Sequence, residues 1–227
     1  MQCGLRRALG LVLLCGTGIF PIGCAIAPKT GSQTMDFCKT DLVDLAKLDA
    51  MLILDIRYAT PHNFTGKPVY RQARAFLQKK AAMALLRVHV ALQRQGFRLK
   101  IYDAYRPLSV QKILWAVMPD ERYVANPKLG SMHNRGMAVD VTLTDLTGRE
   151  LPMPTAYDEF SEKAHRDYTD LPAGAIRNRR ILEDSMKADG FRGIPTEWWH
   201  FDYQGWEHFP VLDIPFDKIN LHRGSDP

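Results

Sequence analysis

The chain has 227 residues, of which 46% are hydrophobic and 24% are charged, and its formal net charge is +5. This composition excludes collagen-like, low-complexity and intrinsically disordered proteins, because the apolar fraction is high enough to build a core. The length predicts one domain, or at most two small ones, large enough to fold without disulfide bonds.

The first residues have the order of an export signal. Arg6 and Arg7 precede an uncharged apolar run that extends from residue 8 to about residue 27. A basic segment followed by such a run predicts an export signal over residues 1–24. A transmembrane anchor is the alternative, since about 20 apolar residues span a bilayer. Four residues disfavour a stable helix there: Gly16, Gly18, Pro21 and Gly23.

The end of this signal resembles a bacterial lipoprotein box. Gly23 precedes Cys24, which predicts lipidation of Cys24 as the first mature residue. Cleavage after Ala27 is the alternative, and it would leave Pro28 next to the scissile bond. The predicted location is therefore exported and periplasmic, with membrane contact only through the lipid or an uncleaved signal.

The net charge does not indicate a polyanionic partner. Removing Arg6 and Arg7 from the 30 basic residues leaves 28, against 25 acidic ones. The chain also lacks a basic stripe with interleaved aromatic residues, so no nucleic-acid partner is predicted.

Residues 25–45 are predicted to be a tether, and residues 46–227 a single catalytic domain. Periodicity and turn residues predict elements in this order: a strand over 52–57, a helix over 73–95, a strand over 97–103, a helix capped by Ser109 and running to 118, a strand over 137–144, a polar loop over 148–174, a helix over 178–189, and a strand over 197–203. Helices and strands alternate without a regular βαβ order. This predicts an α+β fold with a small, largely antiparallel sheet flanked by helices.

Two short stretches concentrate the residues that can perform chemistry. In the first, Ser131–Asp140 (SMHNRGMAVD), His133 lies in a loop and Asp140 in the following strand, so both can converge on one ion. The second contains Glu197 and His200, with two tryptophans between them. Together they offer two imidazoles, one carboxylate ligand and one spare carboxylate. A catalytic zinc needs three protein ligands and one open position.

The motifs resemble those of the zinc D-alanyl-D-alanine dipeptidases related to the vancomycin-resistance dipeptidase. The resemblance covers roughly residues 50–205 and rests on several motifs in the same order: Tyr58-Ala59-Thr60, 63–68 (NFTGKP), 103–107 (DAYRP), Ser131–Asp140, Pro152-Met153, Asn178-Arg179-Arg180 and Glu197-Trp198-Trp199-His200. Related cell-wall peptidases share the metal-binding motifs.

The resemblance implies one Zn²⁺ per chain, with His133, Asp140 and His200 as its ligands. It implies that Glu197 is the general base and Arg106 the group that stabilises the transition state. A structural ion pair between Arg106 and Asp103 is the alternative, and Asp103 could equally orient Arg106 for catalysis.

The resemblance also nominates Asp158 for the substrate ammonium, with Tyr58 and Ser131 lining the pocket. An acid held opposite a free amine would exclude N-blocked peptides. A solvated loop carboxylate is the alternative for Asp158. Ser131 could instead hold its loop, and Tyr58 could belong to the core.

Glu197 and His200 present a geometric conflict. Residues three apart in an ideal strand face opposite sides of a sheet. Irregular backbone is therefore expected between them, helped by Pro195.

The sequence thus predicts an exported zinc enzyme that hydrolyses the D-Ala-D-Ala dipeptide to free D-alanine in the cell envelope. One alternative is a zinc D,D-carboxypeptidase or endopeptidase that acts on longer peptidoglycan peptides. Another is a zinc-binding module without catalysis, although such a module would need neither Glu197 nor Arg106. The oligomeric state is left open.

Overall fold

The computed structural model describes residues 41–219 of the chain. Seven strands and three α-helices follow one another in the order β1 (Leu42–Asp44), β2 (Ile53–Leu54), β3 (Phe76–Gln78), α1 (Lys79–Gln93), β4 (Phe97–Asp103), α2 (Leu108–Val117), β5 (Ala138–Asp145), α3 (Ala173–Ala188), β6 (Phe191–Gly193) and β7 (His200–Tyr203). Short 3-10 turns occupy several of the connections.

The main sheet has five strands in the order β2-β4-β5-β7-β6. Only the β2–β4 pair is parallel, and the other three pairs are antiparallel. A separate two-stranded sheet pairs β1 with β3. The predicted α+β class with a small, largely antiparallel sheet is therefore confirmed.

The centre of the main sheet is almost completely buried. Seven of the eight residues of β5 are buried, which is expected of a strand that has neighbours on both edges and packing on both faces. Helix α1 covers the sheet with an apolar stripe that includes Leu85, Val88 and Leu92. This rigid centre fixes the strand ends from which the site is built.

The helix predicted over 73–95 begins later, at Lys79. Phe76 and Leu77 lie in β3, where Leu77 pairs with Val43 of β1. Both side chains are fully buried. A short apolar run fits a buried strand as well as a helix, and the partner strand more than 30 residues earlier decides between them.

Three other predicted boundaries were wrong. β2 contains only two of the six residues of the predicted strand 52–57, because the chain turns at Arg57–Ala59. Helix α2 does not use Ser109 as its cap; instead the Ser109 backbone N–H donates to Asp213 Oδ1 at 2.8 Å. Helix α3 begins five residues before Asn178.

The predicted tether of residues 25–45 extends too far towards the domain. Leu42 and Leu45 are buried, and β1 pairs with β3, so residues 41–45 belong to the folded domain. The rest of the tether, the export signal over 1–24 and the lipidation site Cys24 lie outside the described residues. Between residues 41 and 219, no helix has both the length and the apolar character needed to cross a membrane.

Candidate active site

The strand register places two of the proposed metal ligands side by side. Asp140 of β5 pairs directly with His200 of β7, and Asp103 of β4 pairs with Asp140 on its other side. His133 reaches the same point from the 3-10 turn His133–Arg135, which ends at Gly136 with a φ of 67°. A side chain is strained in this left-handed conformation, so glycine suits the turn.

The three side chains present one atom each to a common point. His133 Nε2 lies 3.1 Å from His200 Nδ1 and 3.3 Å from Asp140 Oδ1, and His200 Nδ1 lies 3.0 Å from the same carboxylate oxygen. All three residues are buried. Ligand atoms of a small tetrahedral ion are about 3.4 Å apart when each is about 2.1 Å from the ion. The triangle has nearly these dimensions.

The ring nitrogen of each histidine that faces away from this point already has a hydrogen-bond partner. His133 Nδ1 lies 2.6 Å from the Ala104 carbonyl oxygen, and His200 Nε2 lies 2.9 Å from Asp202 Oδ1. When each outer nitrogen carries the proton that it donates to its acceptor, the inner nitrogen presents a lone pair that can bind a metal. Two such lone pairs and a carboxylate oxygen at these distances need either a proton or a metal cation among them. The residues therefore fit a metal ion.

Glu197 and His200 both line one cavity of about 360 Å³. Residues 197–199 lie outside any strand, and β7 begins only at His200. The strand predicted over 197–203 was therefore placed three residues too early at its start, and the irregular backbone expected before His200 is present. Burial raises the pKa of the Glu197 carboxyl to about 8, although the His200 imidazole lowers it.

Arg106 lies on the wall of the same cavity and is held rigidly. Its Nε and Nη2 donate to Asp103 Oδ2 at 3.0 and 2.7 Å, and its Nη1 donates to Gln111 Oε1 at 2.8 Å. Tyr70 donates to the other Asp103 oxygen at 2.7 Å. The bonds to Asp103 and Gln111 use three of the five N–H groups of the Arg106 guanidinium, so two remain for a ligand. The ion pair with Asp103 is thus present and orients a cavity-lining cation.

Asp158 also faces the cavity, from an unusual backbone position. Its φ is +60°, the only positive value among the described non-glycine residues. Such a conformation costs on the order of 1 kcal/mol and is often found at functional sites. Its oxygens accept from Tyr58 Oη at 3.3 Å and from the Phe64 N–H at 3.2 Å. Burial raises the pKa of Asp158 to about 7.

Tyr58 and Ser131 lie where the sequence prediction puts them, on the cavity wall. The Ser131 hydroxyl accepts the His133 backbone N–H at 3.2 Å, so this side chain also holds the ligand loop. The Tyr58 side chain is buried and positions Asp158. Each residue therefore has a structural role as well as a place on the cavity wall: Ser131 holds its loop, and Tyr58 belongs to the core.

The known proteins that resemble this chain in sequence belong to one peptidase family. A family model described as "Peptidase_M15: D-ala-D-ala dipeptidase" matches residues 38–213. The chain belongs to this family. It is 43% identical over 177 residues to an Escherichia coli protein named D-alanyl-D-alanine dipeptidase, covering 78% of this chain and 92% of that protein. A protein of the same name from Enterococcus faecalis is 33% identical over 168 residues, covering 65% and 83%.

Solved structures are more distant from this dipeptidase-family chain. The LD-carboxypeptidase LdcB aligns with 82% of this chain and 81% of its own, at 20% identity and a TM-score of 0.43. Values this low support no inference about activity.

Two site residues of this peptidase were missed from the sequence. Asp202 bonds the outer nitrogen of His200, and Tyr157 donates its hydroxyl to Asp140 Oδ2 at 2.9 Å. Asp202 had a usable signal, because residues two apart on a strand share a face. Tyr157 had none, since its loop is irregular and 17 residues separate it from Asp140.

Proposed function

We propose that this chain is a zinc-dependent peptidase that hydrolyses the D-Ala-D-Ala dipeptide to free D-alanine. One observation carries the proposal: one possible ligand atom from each of His133, Asp140 and His200 converges on the wall of a cavity that also contains Glu197, Arg106 and Asp158. Two imidazoles and one carboxylate form a ligand set that catalytic zinc uses. A structural metal site would need no spare base and no spare cation beside it.

Zinc bound by His133, Asp140 and His200 would acidify water and polarise the scissile carbonyl. Glu197 would take the proton of the attacking water and transfer it to the leaving amine. Its buried, pocket-facing carboxyl suits that role because burial raises its pKa, so it holds a transferred proton more readily than an exposed carboxyl does. Arg106 would stabilise the negative charge that develops on the carbonyl oxygen, since its cation is permanent and preoriented by Asp103.

Asp158 would bind the free ammonium of the substrate. Two acids line the cavity besides Asp140 and Glu197: Asp158, which is held by two hydrogen bonds, and Glu121, which is exposed. The Tyr58 hydroxyl holds one of the Asp158 oxygens in place, and Ser131 lines the wall nearby. An N-acylated peptide offers no cation to this half-buried carboxylate, so such peptides would bind poorly.

The test is to measure the zinc content of the purified protein and its turnover of three compounds. Free D-Ala-D-Ala should be cleaved faster than N-acetyl-D-Ala-D-Ala and faster than L-Ala-L-Ala. Preference for the acylated compound would favour the alternative, a D,D-carboxypeptidase or endopeptidase. Zinc binding without turnover of any of them would favour a binding module.

We also propose that the protein is exported and attached to the membrane through a lipid on Cys24. The basic and apolar order of the first residues supports this, together with the lipoprotein-like residues before Cys24. Labelling with a fatty acid should mark the wild-type protein and leave a Cys24→Ala variant unmarked. Lipid label on the variant, with full partition into membranes, would contradict the proposal.

A further inference from the structure

The loop that joins β6 to β7, residues 194–199, carries Glu197 and leads directly into His200. Pairing of Gly193 with Phe201 closes the two strands around this loop. The Trp199 carbonyl accepts from the Val141 N–H of β5 at 3.0 Å, whereas the preceding carbonyls of the loop lie outside any strand ladder. Buried carbonyls need partners from elsewhere in the chain.

Arg166 supplies most of the recorded partners. Its side chain donates from Nε to the Ile194 oxygen at 2.8 Å, and from Nη2 to the oxygens of Trp198 and His200 at 3.1 and 2.8 Å. Its backbone N–H donates to the Pro195 oxygen at 2.9 Å. One residue thus bonds the carbonyls on both sides of Glu197 and that of the adjoining metal ligand.

The packing around Arg166 shows that its guanidinium has a prepared place. A Cβ atom on Gly193 would lie 2.0 Å from Arg166 Cζ, so only glycine leaves room for it. The guanidinium also lies over the Phe201 ring, 4.4 Å from its centroid. Its nearest carboxylate is the partly exposed Glu183, 3.5 Å from Nη1. The side chain is only 11% exposed.

We propose that Arg166 is a positioning residue, which fixes Glu197 against the metal ligands by bonding the backbone on both sides of it. The inference rests on the proposed role of Glu197 as the base. Arg166 is not among the residues that line the cavity, so it does not contact a substrate there, and it reaches Glu197 through its bonds to the loop. A small displacement of a reacting group can lower a rate by about 100-fold.

Arg166→Lys is the primary test. Lysine keeps the positive charge near Glu197 but cannot bridge three carbonyls from a planar fork. On D-Ala-D-Ala, kcat should fall by about 10- to 100-fold, while KM stays within about twofold and the zinc content per folded chain is unchanged. Arg180→Lys is the matched control, because Arg180 is exposed and pairs only with Asp184 on its own helix. It should leave kcat unchanged.

Gly193→Ala tests the same contact from the other side and leaves Arg166 in place. The added methyl group should displace the guanidinium and reproduce the loss of kcat. Hydrogen exchange in both variants should increase within residues 194–200 and remain unchanged in α1 and β5. This readout is independent of activity.

Several outcomes would overturn the proposal. Full kcat in Arg166→Lys would do so, as would a loss that disappears when activity is expressed per folded, zinc-bound chain. If Arg166→Gln loses activity while Arg166→Lys retains it, Arg166 acts through its positive charge and not by positioning the loop. If the wild-type protein does not cleave the dipeptide at all, the proposed function fails first. The exchange result then still decides whether Arg166 holds the loop.

Discussion

The proposed metal-ligand region and the proposed substrate-facing region of this site are built in opposite ways. His133, Asp140 and His200 stand on or beside paired strands, and each has a hydrogen-bond partner behind it. Glu197 and Asp158 stand on irregular loops instead, and burial raises the pKa of both carboxyls.

This difference follows from what each group must do. A metal ligand works best when its orientation does not change, so a ladder position with a second partner suits it. A base or an ammonium-binding acid must face the cavity and keep an oxygen free for the substrate. Its carboxyl therefore has fewer hydrogen-bond and charge partners than its burial requires, and its pKa rises. We therefore expect the substrate-facing carboxyls to lower the free energy of unfolding and the hydrogen bonds behind the ligand residues to raise it.

The sharpest way to separate the two regions is Glu197→Gln. The amide cannot accept a proton from water, so kcat on D-Ala-D-Ala should fall by about 10³-fold. Zinc binding should remain, because the three ligands are untouched. Glu207→Gln, on an exposed turn, is the control. Equal turnover by wild type and Glu197→Gln would remove Glu197 from the mechanism.

Asp158→Asn should separate binding from chemistry. Loss of the charge opposite the substrate ammonium should lower kcat/KM by about 100-fold, mainly through KM. Because the pKa of Asp158 is about 7, the ratio of wild-type to variant kcat/KM should shrink as the pH falls below 7. Asp170→Asn, an exposed position on the same loop, should behave as wild type. A ratio that does not change with pH would contradict the assignment.

The same variant tests whether the substrate-facing region is destabilised. A carboxyl whose pKa rises to about 7 on folding binds its proton more tightly in the native state, so its contribution to stability is present below about pH 4 and lost as the pH rises through 7. In urea unfolding of the metal-free protein at pH 8, Asp158→Asn should be more stable than wild type by about 1 kcal/mol. The difference should disappear near pH 4.

Asp202→Ala probes the ligand region. Removing the acceptor behind His200 should weaken zinc affinity by about 10- to 100-fold, measured by competition with a chelator. Turnover at saturating zinc should change little. Asp202→Asn should lie between, because its amide oxygen can still accept the imidazole N–H. Unchanged affinity in both variants would show that the β7 ladder alone orients His200.

Tyr157→Phe should have the smallest effect. It deletes one hydrogen bond to Asp140, worth about 1 kcal/mol, and leaves the ring packed against Trp199. Zinc affinity should fall by about fivefold at most. Tyr168→Phe is the control, and a loss larger than for Asp202→Ala would reverse the expected order.

Local patterns predicted the long elements well and the short ones poorly. β4 and β5 are recognised by alternation, and α1 by its apolar stripe, because each satisfies its backbone within one segment or with a neighbour. β1 and β3 were not recognised, since three residues of each are extended only because the other is there. The prediction that Ser109 caps α2 was wrong for the same reason: the Ser109 backbone N–H donates to Asp213, which lies 104 residues away.

The sequence alone determined the class of fold, the three ligand types with their spacing, and the need for irregular backbone before His200. These follow from periodicity and from the chemistry of single side chains. Only the tertiary structure revealed Asp202 and Tyr157 behind the proposed ligands, the strained backbone of Asp158 and the four bonds of Arg166 to the backbone around Glu197. Apart from Asp202, whose place two residues from His200 on β7 was a usable signal, these features depend on contacts between residues far apart in the chain, which no local pattern in the sequence encodes.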